Sequence, residues 1–422
     1  MLVLAQILMG LTLILMVSGR TPLYSTAIVG STIAALVAGI PITLEEGTSI
    51  KSLVLGGLNP VIADMAGVLI FIGAMEAAGY LDVLVHAIIR QGNRFGRGPG
   101  VAAAGGIGAG LIGAFTGFTQ PAITAAVTGP ASVKLGADPD KSAGTHAHAG
   151  HLGNFAGFTH PTLLAVIALV GIKFGWINAI GLATSLVIFA VSFIRMRKTD
   201  TSATTADDAA AALAQFARQE GEPPVWVVCI PFLLLVVGFA LGYPVFALGF
   251  VVSIIVMAMA RINPFRTEAQ MLTSVERVAV PLIATVGFLY MSGVIGEIGI
   301  TELMAGWLEP LIEAAPILTL ALISAIAGTL TQSNSASAAI ILPMVTLVQA
   351  HADVNALALA TAACGPTAIM QYFLTGGPVA ALATTIPVVP GSDLKRANKF
   401  QRPSQLIGLV FVTVVAVILG GF

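Results

Sequence analysis

The fold is decided by two stretches in which apolar sequence turns polar: GAFTGFTQPAITAAVTGP (Gly113 to Pro130) and GTLTQSNSASAAIILP (Gly328 to Pro343). A second interruption follows each of them: GHLGNFAGFTHPT (Gly150 to Thr162) and CGPTAIMQYFLTGGP (Cys364 to Pro378). Hydrocarbon tolerates non-helical backbone only where it is buried in protein or lines a wet cavity. Interrupted hydrophobic segments in matching places therefore predict re-entrant hairpins and broken helices that meet inside a membrane.

The composition is that of a membrane protein. Of the 422 residues, 57% are hydrophobic and 9% are charged, and the mean hydropathy is +0.95. Apolar stretches long enough to cross about 30 Å of hydrocarbon recur along the chain. The first of them, Leu2 to Ser18, follows no basic region and ends in no cleavage site, so we interpret it as a retained span.

A long polar stretch divides the chain into two halves. We predict an N-terminal transmembrane repeat over residues 1–197, a cytoplasmic linker over 198–224 and a C-terminal transmembrane repeat over 225–422. Each half shows the same order of plain spans, an amphipathic piece, an interrupted hairpin and a broken span, which indicates an internal repeat. A short sequence similarity supports the repeat, because AMEAAGYLDVL from Ala74 has the same place in the first half as VIGEIGITELM from Val294 has in the second.

The basic residues predict how the halves lie in the membrane. If the N-terminus is outside, all of the 19 Lys and Arg residues except Lys51 and Lys173 fall on the cytoplasmic side. The two halves then enter the membrane in opposite directions. We therefore predict an all-α polytopic membrane protein with two inverted-topology repeats, each with a re-entrant hairpin and a broken transmembrane helix. Both termini are expected outside a bacterial-type cytoplasmic (inner) membrane.

Polar residues at the hairpin tips are the first candidates for a substrate site. Pro121 suits the first turn of a helix, so the free N–H groups and positive dipole end of a half-helix point into the protein there. Such an end attracts a carboxylate or phosphate without a basic side chain. The alternative is that the tip residues only hold helices together. The tip residues predicted to bind substrate are Thr119, Gln120, Gln332, Ser333, Asn334 and Ser335.

The broken spans supply the second group of candidates. Glycine and proline free the backbone in these spans, and freed carbonyls bind cations whereas freed N–H groups bind anions. A helix that starts near Ser142 at the cytoplasmic side would bring the first break close to the middle of the membrane. The predicted substrate-binding residues of the two breaks are Asn154, Thr159, His160, Thr367, Gln371 and Thr375.

Titratable groups at membrane depth are candidates for ion coupling. Histidine titrates nearest physiological pH, so His151 or His160 is predicted to carry a coupling proton or to pair with an anionic substrate; the alternative is a structural role. Asp64 is the clearest acid within an apolar span, where acids are costly and usually functional. The HAHAGH run resembles a metal-ligand set, but only His148 and His151 of its histidines share a helix face, and we predict no metal site.

The layout resembles the ion transporter superfamily, in which two inverted repeats each carry a hairpin with a polar tip. SNSAS at Ser333 to Ser337 is similar to the second tip of that family. GFTHPT at Gly157 to Thr162 lies where the gluconate permease branch has a His-Pro break, and the short-chain fatty acid and lactate permeases are similar in layout. The resemblance implies proton- or sodium-coupled transport of a small organic anion by an elevator-like movement, in a homodimer.

We predict secondary active transport of a monocarboxylate or sugar acid, by symport with protons and without a cofactor. The expected partners are that anion and the lipid bilayer, and not nucleic acid. The alternative within transport is a cation/proton antiporter that exchanges sodium at Asp64. An intramembrane enzyme is disfavoured because the sequence has no HExxH motif and no Ser–His pairing at useful spacing.

Overall fold

The computed structural model describes residues 1–44, 47–58, 61–116, 121–197, 214–218, 220–276, 279–374 and 381–421. Within these ranges every regular element is a helix. Helices α1 to α10 form the first half: Leu2–Ser18, Leu23–Ala38, Ile50–Gly57, Val61–Ala77, Tyr80–Thr116, Pro121–Lys134, Pro139–Ala147, Ala149–Phe155, Pro161–Val170 and Trp176–Arg197. Helices α11 to α20 form the second: Val225–Ala240, Val245–Ala260, Pro264–Glu276, Ala279–Glu297, Ile300–Ala314, Pro316–Thr331, Asn334–His351, Ala356–Met370, Ala381–Thr385 and Leu394–Gly420. Short 3₁₀ helices cover Ala214–Phe216 and Ile386–Val388.

The outer helices are α1, α2, α4 and α12 to α14, and small residues allow their backbones to approach closely. Helix α1 packs on α2, α2 packs on α14, and α4 packs on both α12 and α13. Gly67 and Gly249 face each other where α4 meets α12, and a Cβ atom on Gly249 would overlap the Gly67 carbonyl. Van der Waals contact of this kind holds helices together in lipid, where the hydrophobic effect does not.

Both predicted hairpins are present. In the first, α5 leaves the helical conformation at Gly96, and the part of α5 beyond this break packs against α6. In the second, α16 packs against α17. The chain reverses at Gln332, which has a left-handed φ of 49°, and Ser333 then caps the N-terminus of α17. The tip of the first hairpin, residues 117–120, lies outside the described residues.

Both predicted broken helices are present as well. In the first half the chain leaves the helix after α8 at Ala156 and becomes helical again at Pro161, the first residue of α9. In the second half α18 ends at Met370 and α19 begins at Ala381. Helix α18 packs against α9, α16 and α20, so the second hairpin and both breaks belong to one packed cluster.

Helix lengths agree with a polytopic membrane protein. Among the described residues, four helical stretches are long and apolar enough to cross a membrane, and α14 with α15, which meet at 80°, provide a fifth if they form one span. The four stretches are Ile50–Ala77, of which residues 59 and 60 are not described, Tyr80–Phe115, Trp176–Arg197 and Leu394–Gly420. The protein is thus an all-α membrane protein of two inverted-topology repeats, as predicted, with a hairpin and a broken helix in each.

Amphipathic helix α13 ends at Glu276, inside the apolar stretch that begins at Leu272. Thr267, Met271 and Ser274 form the buried face of α13, and this face packs on α4. A helix with one buried and one polar face cannot be told from the start of a span by apolar content alone.

Candidate functional site

Asn334 joins three segments that are far apart in the sequence. Its Nδ2 atom lies 3.2 Å from His160 Nδ1 in the first break, and its backbone N–H donates to Gln371 Oε1 in the second broken span at 2.9 Å. Its carbonyl accepts a hydrogen bond from Thr162 Oγ1 at 2.8 Å. The structure therefore brings three predicted site residues, Asn334, His160 and Gln371, into direct contact and adds Thr162 to them.

Hydroxyl groups fix the shape of the second hairpin tip. The side-chain oxygens of Thr331 and Ser337 lie 2.6 Å apart, and each is within hydrogen-bond distance of the Ser333 carbonyl, at 3.0 and 2.9 Å. The Ser333 hydroxyl itself is occupied as the N-terminal cap of α17. The side chain of Ser335 lies near Tyr24 of α2. The hydroxyl of Ser333 thus serves the shape of the tip.

The N-terminus of α17 has one free backbone donor among its first three residues. The Asn334 N–H is taken by Gln371, and the Ala336 N–H is taken by Ser333 Oγ at 3.2 Å. Within the described residues the Ser335 N–H makes no hydrogen bond. Since the dipole of a helix favours negative charge at this end, an anion at the tip would bind at the Ser335 N–H.

Three buried oxygen atoms near this N-terminus make no hydrogen bond with the described residues. They are Asn334 Oδ1, Gln332 Oε1 and Thr159 Oγ1. Leaving a buried polar atom unpaired costs about 1–3 kcal/mol, so such atoms call for a ligand or another functional reason. Two of the three are amide carbonyl oxygens, which accept only, and they suit either hydroxyl donors or a cation.

Asn178 of α10 holds the first break. Its Nδ2 donates to the carbonyls of Ala156 and Gly157, at 3.1 and 2.8 Å, and its Oδ1 accepts from the Gly175 N–H at 2.9 Å. Two of the carbonyls that the broken helix frees are therefore already bonded. The expectation that freed carbonyls bind a cation stays a prediction, and Asn178 is the residue that positions these two.

Asn154 contacts the second broken span rather than the tip of the second hairpin. Its Nδ2 donates to the hydroxyl of Tyr372 at 2.8 Å. The ring of Tyr372 lies directly against Gly150, where any side chain would overlap it. The bond between Asn154 and Tyr372 therefore ties the first broken helix to the end of α18, close to Gln371 in sequence.

His151 also lies where the two halves meet. Its Nδ1 is 3.2 Å from the Ala368 carbonyl, and its Nε2 is 3.5 Å from Gln405 Nε2. Its ring centroid is 5.2 Å from that of Tyr372. None of its described contacts is with Asn334, so His151 and His160 belong to different parts of the cluster.

The other two histidines of the HAHAGH run bond serine and threonine. His146 Nε2 lies 2.7 Å from Thr128 Oγ1, and His148 Nε2 lies 2.7 Å from Ser192 Oγ, which in turn bonds Ser404 at 2.8 Å. These bonds connect α7 and α8 to α6, α10 and α20. Among the described residues no three His, Cys, Asp or Glu side chains are arranged to hold a metal ion.

Some predicted site residues lie elsewhere. The hydroxyl of Thr367 donates to the carbonyls of Ser324 and Ala363, at 3.1 and 3.0 Å, and so holds α18 against α16. The predicted ligands Thr119, Gln120 and Thr375 lie outside the described residues.

Asp64 is bound at the start of another helix. Its carboxylate lies near the N-terminus of α12, which begins at Val245, and near Lys173. This helix has no side-chain cap of its own. A carboxylate at a helix N-terminus stabilises that helix, and the coupling role of Asp64 stays a prediction.

An apolar cavity of about 390 Å³ lies beside the first break. Phe115 and Phe158 line it, and their rings stack with centroids 5.6 Å apart. Asn178 also borders the cavity, but its amide is bonded to backbone groups. Asn178 is the one polar side chain that the described residues contribute to its wall.

The fold is shared with solved transporter structures. No protein-family model and no curated protein matches the chain. The YdaH transporter of Alcanivorax borkumensis, reported to have an unusual topology, is 14% identical over 96% of this chain and 97% of that chain, with a TM-score of 0.61. MtrF of Neisseria gonorrhoeae, reported with a class of antimetabolite efflux pumps, is 14% identical over 94% of each chain, with a TM-score of 0.63. At this identity the likeness shows a transporter fold, and membership of the gluconate permease branch stays a prediction.

Proposed function

We propose that this chain is a secondary active transporter of a small organic anion, coupled to protons, with Asn334, His160 and Gln371 at the centre of its site. One observation carries the proposal: a single residue at the start of a half-helix bonds both broken helices at once. The substrate site of transporters with inverted repeats lies where such discontinuous helices meet. The shared fold with two transport proteins supports the same function.

The polar groups at the tip favour a carboxylate that also carries hydroxyl groups. The free Ser335 N–H and the helix dipole suit the carboxylate. The unpaired oxygens of Gln332 and Thr159 suit hydroxyl groups on the same molecule. A sugar acid or a hydroxy acid meets both demands, whereas a plain fatty acid leaves these oxygens unpaired.

His160 offers a route for proton coupling. A neutral ring with a lone pair on Nδ1 accepts from Asn334 Nδ2, which leaves Oδ1 of the same amide unpaired. A protonated ring carries N–H on both nitrogens, so the Asn334 amide must turn its oxygen toward the ring and its NH₂ group toward the substrate. Protonation of His160 thereby replaces the amide oxygen of Asn334, an acceptor, by its NH₂ group, a donor, beside the substrate carboxylate. Proton and anion then strengthen each other's binding, as linkage requires.

The cluster moves as a unit in this proposal. The second hairpin and the two broken helices are linked through Asn334, Thr162 and Gln371. The outer helices α2 and α4 pack mostly with α14, α12 and α13. The break in α5 at Gly96 and the 80° bend between α14 and α15 lie between the two groups in sequence and can act as hinges for an elevator-type movement.

Uptake into proteoliposomes tests the proposal. Labelled gluconate, lactate and butyrate are offered with an imposed proton or sodium gradient, in both orientations of the gradient. We expect gluconate or lactate to accumulate with the proton gradient, and Asn334→Ala to lower the rate at least about tenfold, the effect of one buried hydrogen bond of about 1.4 kcal/mol. Thr329→Ala in the same hairpin is the control, because its hydroxyl bonds only the Ala325 carbonyl of its own helix.

Two outcomes contradict the proposal. Uptake by Asn334→Ala at the wild-type rate would exclude the tip as the substrate site. Absence of uptake for all three acids, with sodium dissipating an imposed pH gradient in a manner that Asp64→Asn abolishes, would establish cation/proton exchange instead.

A further inference from the structure

A basic cleft lies beside the first part of α5, the amphipathic arm of residues 80–95. The cleft has a volume of about 370 Å³, and its charged wall residues are Arg90, Arg94, Arg218 and Glu222. Arg90 forms an ion pair with Glu222 at 2.7 Å and donates to the Phe216 carbonyl at 3.1 Å. Arg90 and Glu222 therefore neutralise each other within the cleft.

The other two arginines of the cleft keep their charge for a ligand. Arg94 and Arg218 are exposed, and neither forms an ion pair within the described residues. Arg218 donates one hydrogen bond, to the backbone carbonyl of Glu222 at 3.1 Å. The cleft thus carries two positive charges that no described carboxylate balances.

An apolar groove adjoins the cleft along the same arm. It has a volume of about 290 Å³ and shares Gln91 with the cleft. Phe95 at its edge is 69% exposed, which places an aromatic ring at the outer surface next to Arg94. Its wall includes Ile88, Phe95, Ala103, Ile107 and Phe193. The guanidinium of Arg197 lies 5.7 Å from the Phe193 ring and adds a further cation at this end of the groove.

We propose that this cleft and groove together bind an anionic phospholipid, with the headgroup phosphate at Arg94 and Arg218 and an acyl chain along Phe95 and Phe193. Basic pockets between membrane helices bind anionic headgroups, and the groove supplies the apolar contact that a free anion does not need. The lipid would bridge the arm, α10 and the segment before α11. The arm leads from α4 into the first hairpin, so the lipid would fix the position of the connection between them.

Lipid-dependent stability of the purified full chain tests the proposal. The thermal unfolding midpoint is measured while phosphatidylglycerol, phosphatidylcholine, glycerol phosphate or inorganic phosphate is added. We expect phosphatidylglycerol alone to raise the midpoint. In Arg94→Ala/Arg218→Ala the apparent affinity should fall about thirtyfold, because each arginine near an anionic membrane surface contributes about 1 kcal/mol. Ala103→Phe, which fills the groove, should weaken binding with all arginines in place.

A matched variant controls for charge. Arg266→Ala/Lys399→Ala removes two exposed basic residues outside the cleft and should keep the wild-type response. If the alanine variant does not fold, Arg94→Gln/Arg218→Gln takes its place. Equal responses to phosphatidylglycerol in the cleft variant and the control would overturn the proposal. A response to inorganic phosphate as large as that to the lipid would overturn it too, since the site would then be one for free anions.

Discussion

The amide of Asn334 lies 3.2 Å from the ring of His160, although 174 residues separate them in sequence. The two residues come from different repeats, one from a hairpin tip and the other from a helix break. Because the backbone of Asn334 also bonds Gln371, movement of any one of the three segments changes the position of the other two. This relationship connects the substrate site to the packing of both halves.

His160 should make transport depend on pH. If the protonated ring turns the Asn334 amide toward substrate, binding is strong at low pH and is lost as the pH rises past the value at which His160 loses its proton. We expect His160→Gln to abolish this dependence, because glutamine does not titrate. Substrate binding measured between pH 4 and pH 8 follows it. His351→Gln is the control, since His351 is exposed and bonds only the Leu347 carbonyl of its own helix. Wild-type pH dependence in His160→Gln would contradict the account.

Asn154 and Tyr372 should act as a pair. The sequence predicts that Asn154 binds substrate, whereas the structure bonds its amide to the Tyr372 hydroxyl. If the bond itself is what matters, Asn154→Ala and Tyr372→Phe lower uptake by similar factors and the double variant is no worse than either. Tyr243→Phe is the control because that ring is exposed. A far larger loss in Asn154→Ala than in Tyr372→Phe would return Asn154 to the role of a direct ligand.

Asn178 should be needed for the stability of the first break. Asn178→Ala leaves the carbonyls of Ala156 and Gly157 without their donor, at a cost of about 1–3 kcal/mol for each buried unpaired group. We expect a lower unfolding midpoint in detergent than for Ser185→Ala, whose hydroxyl bonds only the Gly181 carbonyl of its own helix. Equal midpoints for the two variants would show that the break does not depend on this amide.

The contact between α4 and α12 should tolerate no side chain at Gly249. A methyl group there overlaps the Gly67 carbonyl, and overpacking of this kind costs about 1–3 kcal/mol. Gly10 on α1 has no atom near its added Cβ, so Gly10→Ala should be neutral or stabilising by up to about 1 kcal/mol. Thermal unfolding of the two variants checks the difference. A Gly249→Ala protein as stable as Gly10→Ala would show that the helices separate at no cost.

The hairpins and breaks could be predicted because each interrupts apolar sequence with several polar residues at once, as SNSAS from Ser333 does. Asn334, His160 and Gln371 could be predicted as site residues for the same reason. Asn178 and Tyr372 could not be predicted, because each is a single polar residue near an apolar segment and its partner lies in another helix. The sequence also does not reveal that the Ala156 and Gly157 carbonyls are already bonded, since that depends on how α10 packs.

Protection of a cysteine at the second hairpin tip tests the central claim most directly. Ser335→Cys is placed in a chain with Cys229→Ser and Cys364→Ala, and its alkylation by N-ethylmaleimide is followed with and without the transported acid. Since the Ser335 N–H is the predicted contact for the carboxylate, bound substrate should slow labelling several-fold at pH 6. Thr329→Cys, in α16 of the same hairpin, should label at the same rate with and without the acid, because the Thr329 hydroxyl bonds its own helix at Ala325. Equal labelling of Ser335→Cys in both conditions, at an acid concentration that saturates uptake, would contradict the assignment of this tip as the substrate site.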